Sequence, residues 1–450
     1  MRRVQEIFII LFLLTSTIGY SQKSTPLLDR KVSVNFTNVP LKEVLFELSK
    51  KGSFNLSYNS NILSSNTLIN FRGSQKRISE ILPEILPSEI VFKTASNSLV
   101  LFRKSVNELK KNDIIIRGTV YDSLSKSQIS GATVLDVFGS QSVLTDSVGN
   151  FETLLSYNQE DLLVSVSKVN YKDTTLLLKP RSQNLTIQLS KIEILEEVQL
   201  VKIEMPKVKA IESYPISKLI IPKPVVINSQ NITGYSIRKF QFSIMPGIST
   251  NLKIAGTVKN DVSINLIGGY SYGVRLLELG GAFNINRENV NGLQIGGFSN
   301  LVGGDVKGLQ LSGAMNRTKG KQSGVQITGI GNFNTNKFSG LQLSAVLNLS
   351  ENVSGAQLSG VMNKSEYMQG LQITTAFNKS TLMKGIQLNT GVNMSDTMNG
   401  IQIGIFNSAK QNNGLQIGIV NFSNSSEGLS IGVLNFRKDK KLPRILFAYH

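Results

Sequence analysis

The chain has 450 residues, a formal charge of +18 from 48 Lys and Arg against 30 Asp and Glu, no cysteine, and one histidine, His450. Without cysteine there are no disulfides, thiolate metal sites or cysteine nucleophile, and one terminal histidine leaves no material for a histidine-based triad or a zinc site built on histidine pairs. The basic residues are scattered through turns and a linker (Lys104, Lys110, Lys111, Lys202, Lys207, Lys209) with no aromatic-interleaved stripe, so the charge does not argue for nucleic acid.

Arg2 and Arg3 precede an unbroken apolar run over residues 7–14, followed by small and polar residues up to Gln22. That pattern predicts a secretory signal peptide over 1–22, cleaved near Ser21 or Gln22. The run is too short for a membrane-spanning helix of roughly 20 apolar residues. Val32, Val34 and Phe36 then alternate with polar residues as a strand, and Leu41, Val44, Leu45 and Leu48 follow at helical spacing. Pro40 belongs in the first turn of that helix and Gly52 ends it after Lys50 and Lys51. A second cycle has a strand over 68–71, an amphipathic helix on Ile78, Ile81, Leu82 and Ile85, and a closing hairpin of 90–93 with 99–103.

The stretches VSVNFTNVPLKEVLFELSKKGSFNLSYNSNIL and INFRGSQKRISEILPEIL resemble the secretin and TonB-receptor short N-terminal domain over about residues 30–104. The resemblance implies a small α/β domain at 23–104 that sits in the periplasm and contacts other envelope proteins. Residues 112–190 show alternating apolar residues and regular turn signals, which predicts a small β-sandwich. Gly118, Val120, the Gly131-Ala132-Thr133-Val134 strand, Thr145-Asp146, Gly149, Phe151 and Tyr171 make it similar to the carboxypeptidase regulatory-like domain. That family domain is a seven-stranded, non-catalytic sandwich. Asp146 near Gly149 reads as a turn in which Asp caps its own backbone, in preference to a cation loop. Residues 191–237, with Pro206, Pro215, Pro222 and Pro224, read as a linker. The combination is one associated with exported proteins of Bacteroidetes-type bacteria. No receptor plug follows, so energised uptake is not carried over.

From Gly292 a Gly-Leu-Gln unit recurs ten times, at 292, 308, 324, 340, 355, 370, 385, 400, 414 and 428, with a degenerate copy at Leu277-Glu278-Leu279-Gly280. An Asn recurs at a fixed place in each unit, from Asn300 to Asn393, and one residue closer to the Gly at Asn407, Asn421 and Asn435. In GLQLSAVLNLS, Leu341, Leu343, Ala345, Leu347 and Leu349 alternate with Gln342, Ser344, Val346, Asn348 and Ser350, as in one strand of about ten residues. Two architectures fit. An antiparallel membrane β-barrel of 14 strands places the Leu row against lipid and the amides in a lumen. Ten extended residues span ~33 Å, and the remaining four to six cannot return the chain along a coil unless the strand bends. A β-solenoid bends at the small pairs Gly296-Gly297, Ser312-Gly313 and Ser359-Gly360, stacks Gln and Asn in ladders, and places Leu343 in its core. The alikeness of the turns and the one-residue deletion, which would flip an uninterrupted strand, favour the solenoid. The array also resembles bacterial Gly-x-Gln-x-Gly-x-x-Asn surface-repeat proteins, which implies envelope location.

The expectation is therefore a mainly β protein: a small α/β domain (23–104), a β-sandwich (112–190), a linker (191–237), and over 238–450 a repeat-built antiparallel β-barrel, with a β-solenoid as the alternative. No catalytic, cofactor-binding or metal residues are assigned. Acids such as Glu351, Glu366 and Asp396 sit in turns of separate repeats, with no converging partner for glycoside hydrolysis. The expected role is non-enzymatic, as a receptor-like or scaffolding protein of the outer membrane with periplasmic N-terminal domains. Expected partners are envelope proteins and the outer membrane, with no nucleic acid and no identified ligand. The alternative is a surface or periplasmic solenoid that binds glycan or protein.

Overall fold

The computed structural model describes residues 26–58, 67–95, 97–103, 112–137, 141–157, 162–192, 210–438, 440 and 442–449. The signal segment expected at 1–22 lies outside them, as do residues 193–209 of the linker. The chain divides into two compact units, residues 1–106 and 107–450.

The first unit runs β1 (Lys31–Pro40), α1 (Leu41–Gly52), β2 (Asn55–Tyr58), β3 (Leu68–Arg77), α2 (Ile78–Ile85), β4 (Ile90–Ala95) and β5 (Ser98–Arg103). β1 pairs antiparallel with β3, and β2, β5 and β4 form a second sheet. The helices bury the apolar positions read from their spacing, Val44, Leu45 and Leu48 on α1 and Ile78, Ile81 and Leu82 on α2. Pro40 stands one place earlier than expected, as the extended residue that precedes α1. The last carbonyls of α1 have no partner within the helix. Arg30 supplies one, with Nη1 donating to Gly52 O at 2.8 Å and Ser53 O at 2.7 Å.

The second unit opens with seven strands: β6 (Asn112–Asp122), β7 (Thr133–Asp136), β8 (Ser142–Leu144), β9 (Asn150–Tyr157), β10 (Leu162–Ser167), β11 (Thr174–Leu178) and β12 (Gln183–Leu189). They form sheets ordered β11-β10-β7-β8 and β12-β6-β9 around a shared core that includes Ile116, Val120, Phe151, Val164 and Ile187. Asp146 does cap its own turn, with Oδ1 accepting from Val148 N at 3.0 Å and Asn150 N at 2.8 Å. The segment read as a linker carries two helices, α3 (Pro215–Ile220) and α4 (Lys223–Asn231), each with proline in its first turn. Asn228 and Asn231 of α4 are buried and bond the sandwich: Thr133 Oγ1 donates to Asn228 Oδ1 at 2.9 Å, and Asn231 Nδ2 donates to Gly131 O at 2.8 Å. Asn228 Nδ2 also donates to Lys253 O in the array, at 3.2 Å.

From Ser236 onward the repeats pair in parallel, each with its equivalent one unit later, so that Gln310 lies between Gln294 and Gln326. The array is a β-solenoid of about 12 turns. It is not the antiparallel barrel, and the reason is the bend. Leu347–Ser359 is followed by a bend at Gly360 and Val361 and then by Met362–Thr374, so the run expected to be one straight strand turns a corner and its coil closes within 15 residues. The length changes fall at corners too. Spacing drops from 16 to 15 at the register shift between Asn334 and Lys337. It drops to 14 in the bend between Leu388, still opposite Ile403, and Asn393, which bonds Asn407. No strand therefore changes which face it shows.

A second correction concerns what lies inside. Gln342 is fully buried in the interior, whereas Leu343, expected in the core of a solenoid, faces outward and is half-buried. The stack begins under α3 and α4, where Ile221 between the helices and Val225 of α4 pack with Tyr270, Ile285 and Leu301 of the first coils. It ends where Arg444–Tyr449 pairs antiparallel with Leu429–Arg437.

The glycine that opens each unit lets coils approach. Gly355 has φ +140°, and a Cβ there would lie 2.0 Å from Gly340 O. Gly355→Ala is therefore expected to cost well over ~1 kcal/mol, whereas Ser354→Ala beside it should be close to neutral; urea unfolding of both variants checks this.

Candidate interaction surface of the repeat array

Each coil from Gln294 to Gln416 contributes one laddered Gln and one laddered Asn to the interior, and these side chains bond along the array. Gln310 Nε2 donates to Gln294 Oε1 at 2.7 Å, Gln342 to Gln326 at 2.9 Å, Gln372 to Gln357 at 2.8 Å and Gln416 to Gln402 at 2.9 Å. The Asn ladder runs the other way: Asn300 Nδ2 donates to Asn316 Oδ1 at 2.9 Å, Asn348 to Asn363 at 2.9 Å and Asn407 to Asn421 at 2.9 Å. Each Asn also donates across the coil, as Asn363 does to Ile373 O at 2.7 Å. The amides of the two ladders are thus partnered by one another and by backbone.

The ladder ends are chemically distinct. Gln294 Nε2 donates to Glu278 Oε2 at 2.8 Å, so the degenerate copy supplies an acceptor at the start of the Gln ladder. At the far end Ser430 Oγ donates to Gln416 Oε1 at 3.1 Å. The Asn ladder finishes with Asn435 Nδ2 donating to Arg444 O, in the antiparallel last strand, at 3.2 Å. Burial raises the Glu278 carboxyl to about 7 against the pull of its hydrogen bonds from Gln294 and other neighbours. It sits in the ladder, away from any opening to substrate, and its chemistry is that of an end piece.

The interior holds an apolar thread two residues before the glycine in five successive units, Phe338, Val353, Met368, Met383 and Met398, while Gln322, Asn412 and Ser426 take that place in other units. The apolar residues lie in segments read from sequence as polar turns. The signal was present, as one apolar side chain in each of these five turns at the same parity as the Gln.

With the amides inside, the Leu and Ile rows face out. Leu343 is flanked in register by Ile327 and Leu358, so neighbouring coils cover its sides and leave its end bare. Charge is distributed unevenly around the coil. Between the Gly and the Asn of every one of the ten units there is no charged residue, whereas Lys307, Lys337, Glu351, Lys364, Lys384 and Asp396 all fall outside that stretch, on or toward the other edge. Glu351 and Glu366, read as lying in unrelated turns, come to the same corner of adjacent coils, and both are exposed. Asp396 accepts from Lys410 Nζ at 2.9 Å. Among the described residues no group of three or more His, Asp or Glu could hold a metal ion. No helix there is long and apolar enough to cross a membrane.

No protein-family model matches the chain, and neither does any curated protein.

Two outcomes follow from the inverted interior. Gln357→Leu should destabilise the array by roughly 2 kcal/mol or more, because it removes the donor to Gln342 and the acceptor of Gln372. Leu358→Gln, next to it and half-exposed, should cost less, and thermal unfolding of the pair gives the order. The folded-state pKa of Glu278 is raised, so the stability it permits is fully present below about pH 4.5 and falls as pH rises to about 7. Glu278→Gln should remove this slope: relative to wild type it gains on the order of 3 kcal/mol between about pH 4 and pH 8, measured as urea unfolding of the first coils at both pH values.

Proposed function

We propose that the protein is a non-enzymatic scaffold of a Gram-negative cell envelope, in which the solenoid is a stiff rod and the N-terminal domains make contacts with other envelope proteins. The observation that carries this reading is the use of the array's chemistry-bearing side chains. The amides of its two ladders are partnered inside, and what it offers outside is a long row of apolar side chains with a charged edge opposite. A rod so built supplies surface and length rather than a reaction site. The export pattern at 1–22 and the resemblance of residues 30–104 to the secretin and TonB short N-terminal domain support an envelope location, and the regulatory-like sandwich supports a structural role beside it.

A second reading, a surface or periplasmic solenoid that binds a protein ligand, is favoured by a shallow open depression on one sheet lined by Ile327, Leu343, Leu358 and Ile373. Those side chains suit an apolar protein surface better than a glycan, which needs outward polar groups.

Expression of the tagged full chain in a Gram-negative host, followed by fractionation and N-terminal sequencing, tests the location. The expected product is shortened near residue 22 and recovered with the envelope; a full-length product in the cytosol overturns the proposal.

A further inference from the structure

The bend that turns each coil from one sheet to the other lines up into a ridge along the array. Backbone bonds run from coil to coil there, with Val346 N donating to Ile330 O at 3.3 Å, Val361 N to Val346 O at 3.0 Å and Phe377 N to Val361 O at 2.9 Å. The side chains that project from it include Phe298, Ile330, Val361, Ile405, Ile419 and Val433, each 48–56 % exposed although large and apolar. At ~4.8 Å per coil, the ten coils from Phe298 to Val433 give a ridge ~43 Å long. The row is interrupted by the small residues Ala314, Ala376 and Gly391, and on monomeric proteins an exposed apolar patch of such extent marks an interaction site.

We infer that this ridge seats in the hydrocarbon of a phospholipid bilayer, so that the solenoid lies along a membrane surface with its charged edge in water. Three observations select lipid from other occupants. First, the ridge and its flanks are uncharged from Gly to Asn in all ten units, and the charges lie beyond them with Lys in excess (Lys337, Lys364, Lys379, Lys384 and Lys410 against Glu351, Glu366 and Asp396). That is the amphipathic, basic pattern of a body lying in the interface of an anionic membrane. Second, hydrocarbon requires polar groups to be satisfied within the protein, whereas a protein partner could supply bonds of its own. Hydroxyls near the ridge are bonded to neighbouring coils: Thr375 Oγ1 donates to Gly360 O, Thr390 Oγ1 to Thr375 O at 2.8 Å, and Ser359 Oγ to Thr374 Oγ1 at 3.4 Å. Ser299 Oγ, Ser344 Oγ and Asn389 Oδ1 are exceptions. Third, the ridge is convex. Two copies meeting ridge to ridge touch along a line, far from the ~800 Å² per partner of a stable interface, while acyl chains close around a convex edge. Where an apolar outer face of the array does meet protein, at Ile285 and Leu301, the cover is the chain's own segment containing α3 and α4.

The inference deepens the envelope proposal by naming the array's partner, and it is tested on purified protein, so that it and the location can fail separately. The chain has no cysteine, so Val361→Cys on the ridge and Glu366→Cys on the charged edge each take one environment-sensitive fluorophore. With vesicles of phosphatidylcholine and phosphatidylglycerol, the probe at position 361 is expected to shift to the blue and to be quenched by nitroxides on the acyl chains, and the probe at position 366 to do neither. The unlabelled full chain should float with the vesicles. A variant combining Ile330→Gln, Val361→Gln, Ile405→Gln and Ile419→Gln should lose at least tenfold in vesicle affinity while keeping the circular dichroism spectrum of the wild type. If that variant misfolds, the two single-cysteine probes still decide. Equal responses at the two positions, or none at either, overturn the inference. So does a dimer that shields position 361 before vesicles are added and persists in their presence, which assigns the ridge to a second copy.

Discussion

A primary amide removed from water needs a partner for its carbonyl and for its N–H groups, and that demand organises the array. Each stacked Gln or Asn gains a net ~0.5–1.5 kcal/mol from its bond, but an orphaned buried group costs ~1–3 kcal/mol. In-register stacking is therefore enforced more by the penalty for error than by the reward for agreement. A slip of one residue would carry the amides outside and the Leu row inside. The glycine that opens each unit serves the same end, since it lets Gly355 approach the carbonyl of Gly340 closely enough for the side chains beside them to meet.

Placing the amides inside decides what lies outside. Leu343 keeps part of its burial because Ile327 and Leu358 flank it, so the outer rows still withdraw apolar area from water along the stack. They do so sideways, and their ends remain available. The thread of Phe338, Val353 and the methionines fills one interior corner beside the amides over five successive coils. Methionine suits that task, being unbranched and able to follow small changes in coil size.

Much of this was legible. The helices of the first unit followed from the spacing of Val44, Leu45 and Leu48, and the repeat, its parity and its alternation of Leu with Gln were plain. What alternation could not say is which of its two faces is inside, because a polar lumen and a polar core leave the same pattern. Leu343 was assigned to lipid or to core on the habit that apolar residues are buried, and the ladders overrule that habit. The bend at Gly360 and Val361 was visible as a small pair, but only the cost of returning the chain in four to six residues shows that it must bend. The helices over 215–231 went unread because four prolines in 47 residues resemble a linker, although Pro215 and Pro224 stand where a helix start tolerates them.

The two ladders donate in opposite directions, toward the first coil through Gln and toward the last through Asn, and only the ends differ, at Glu278, Ser430 and the carbonyl of Arg444. Every coil between receives from its neighbours what it passes on. A whole unit can be added or removed there without leaving an amide unpartnered, and the side-chain dipoles of one ladder offset those of the other however many units there are. Such a rod is indifferent to its own length, so duplication of a 14- or 15-residue unit changes its reach without asking anything new of its core.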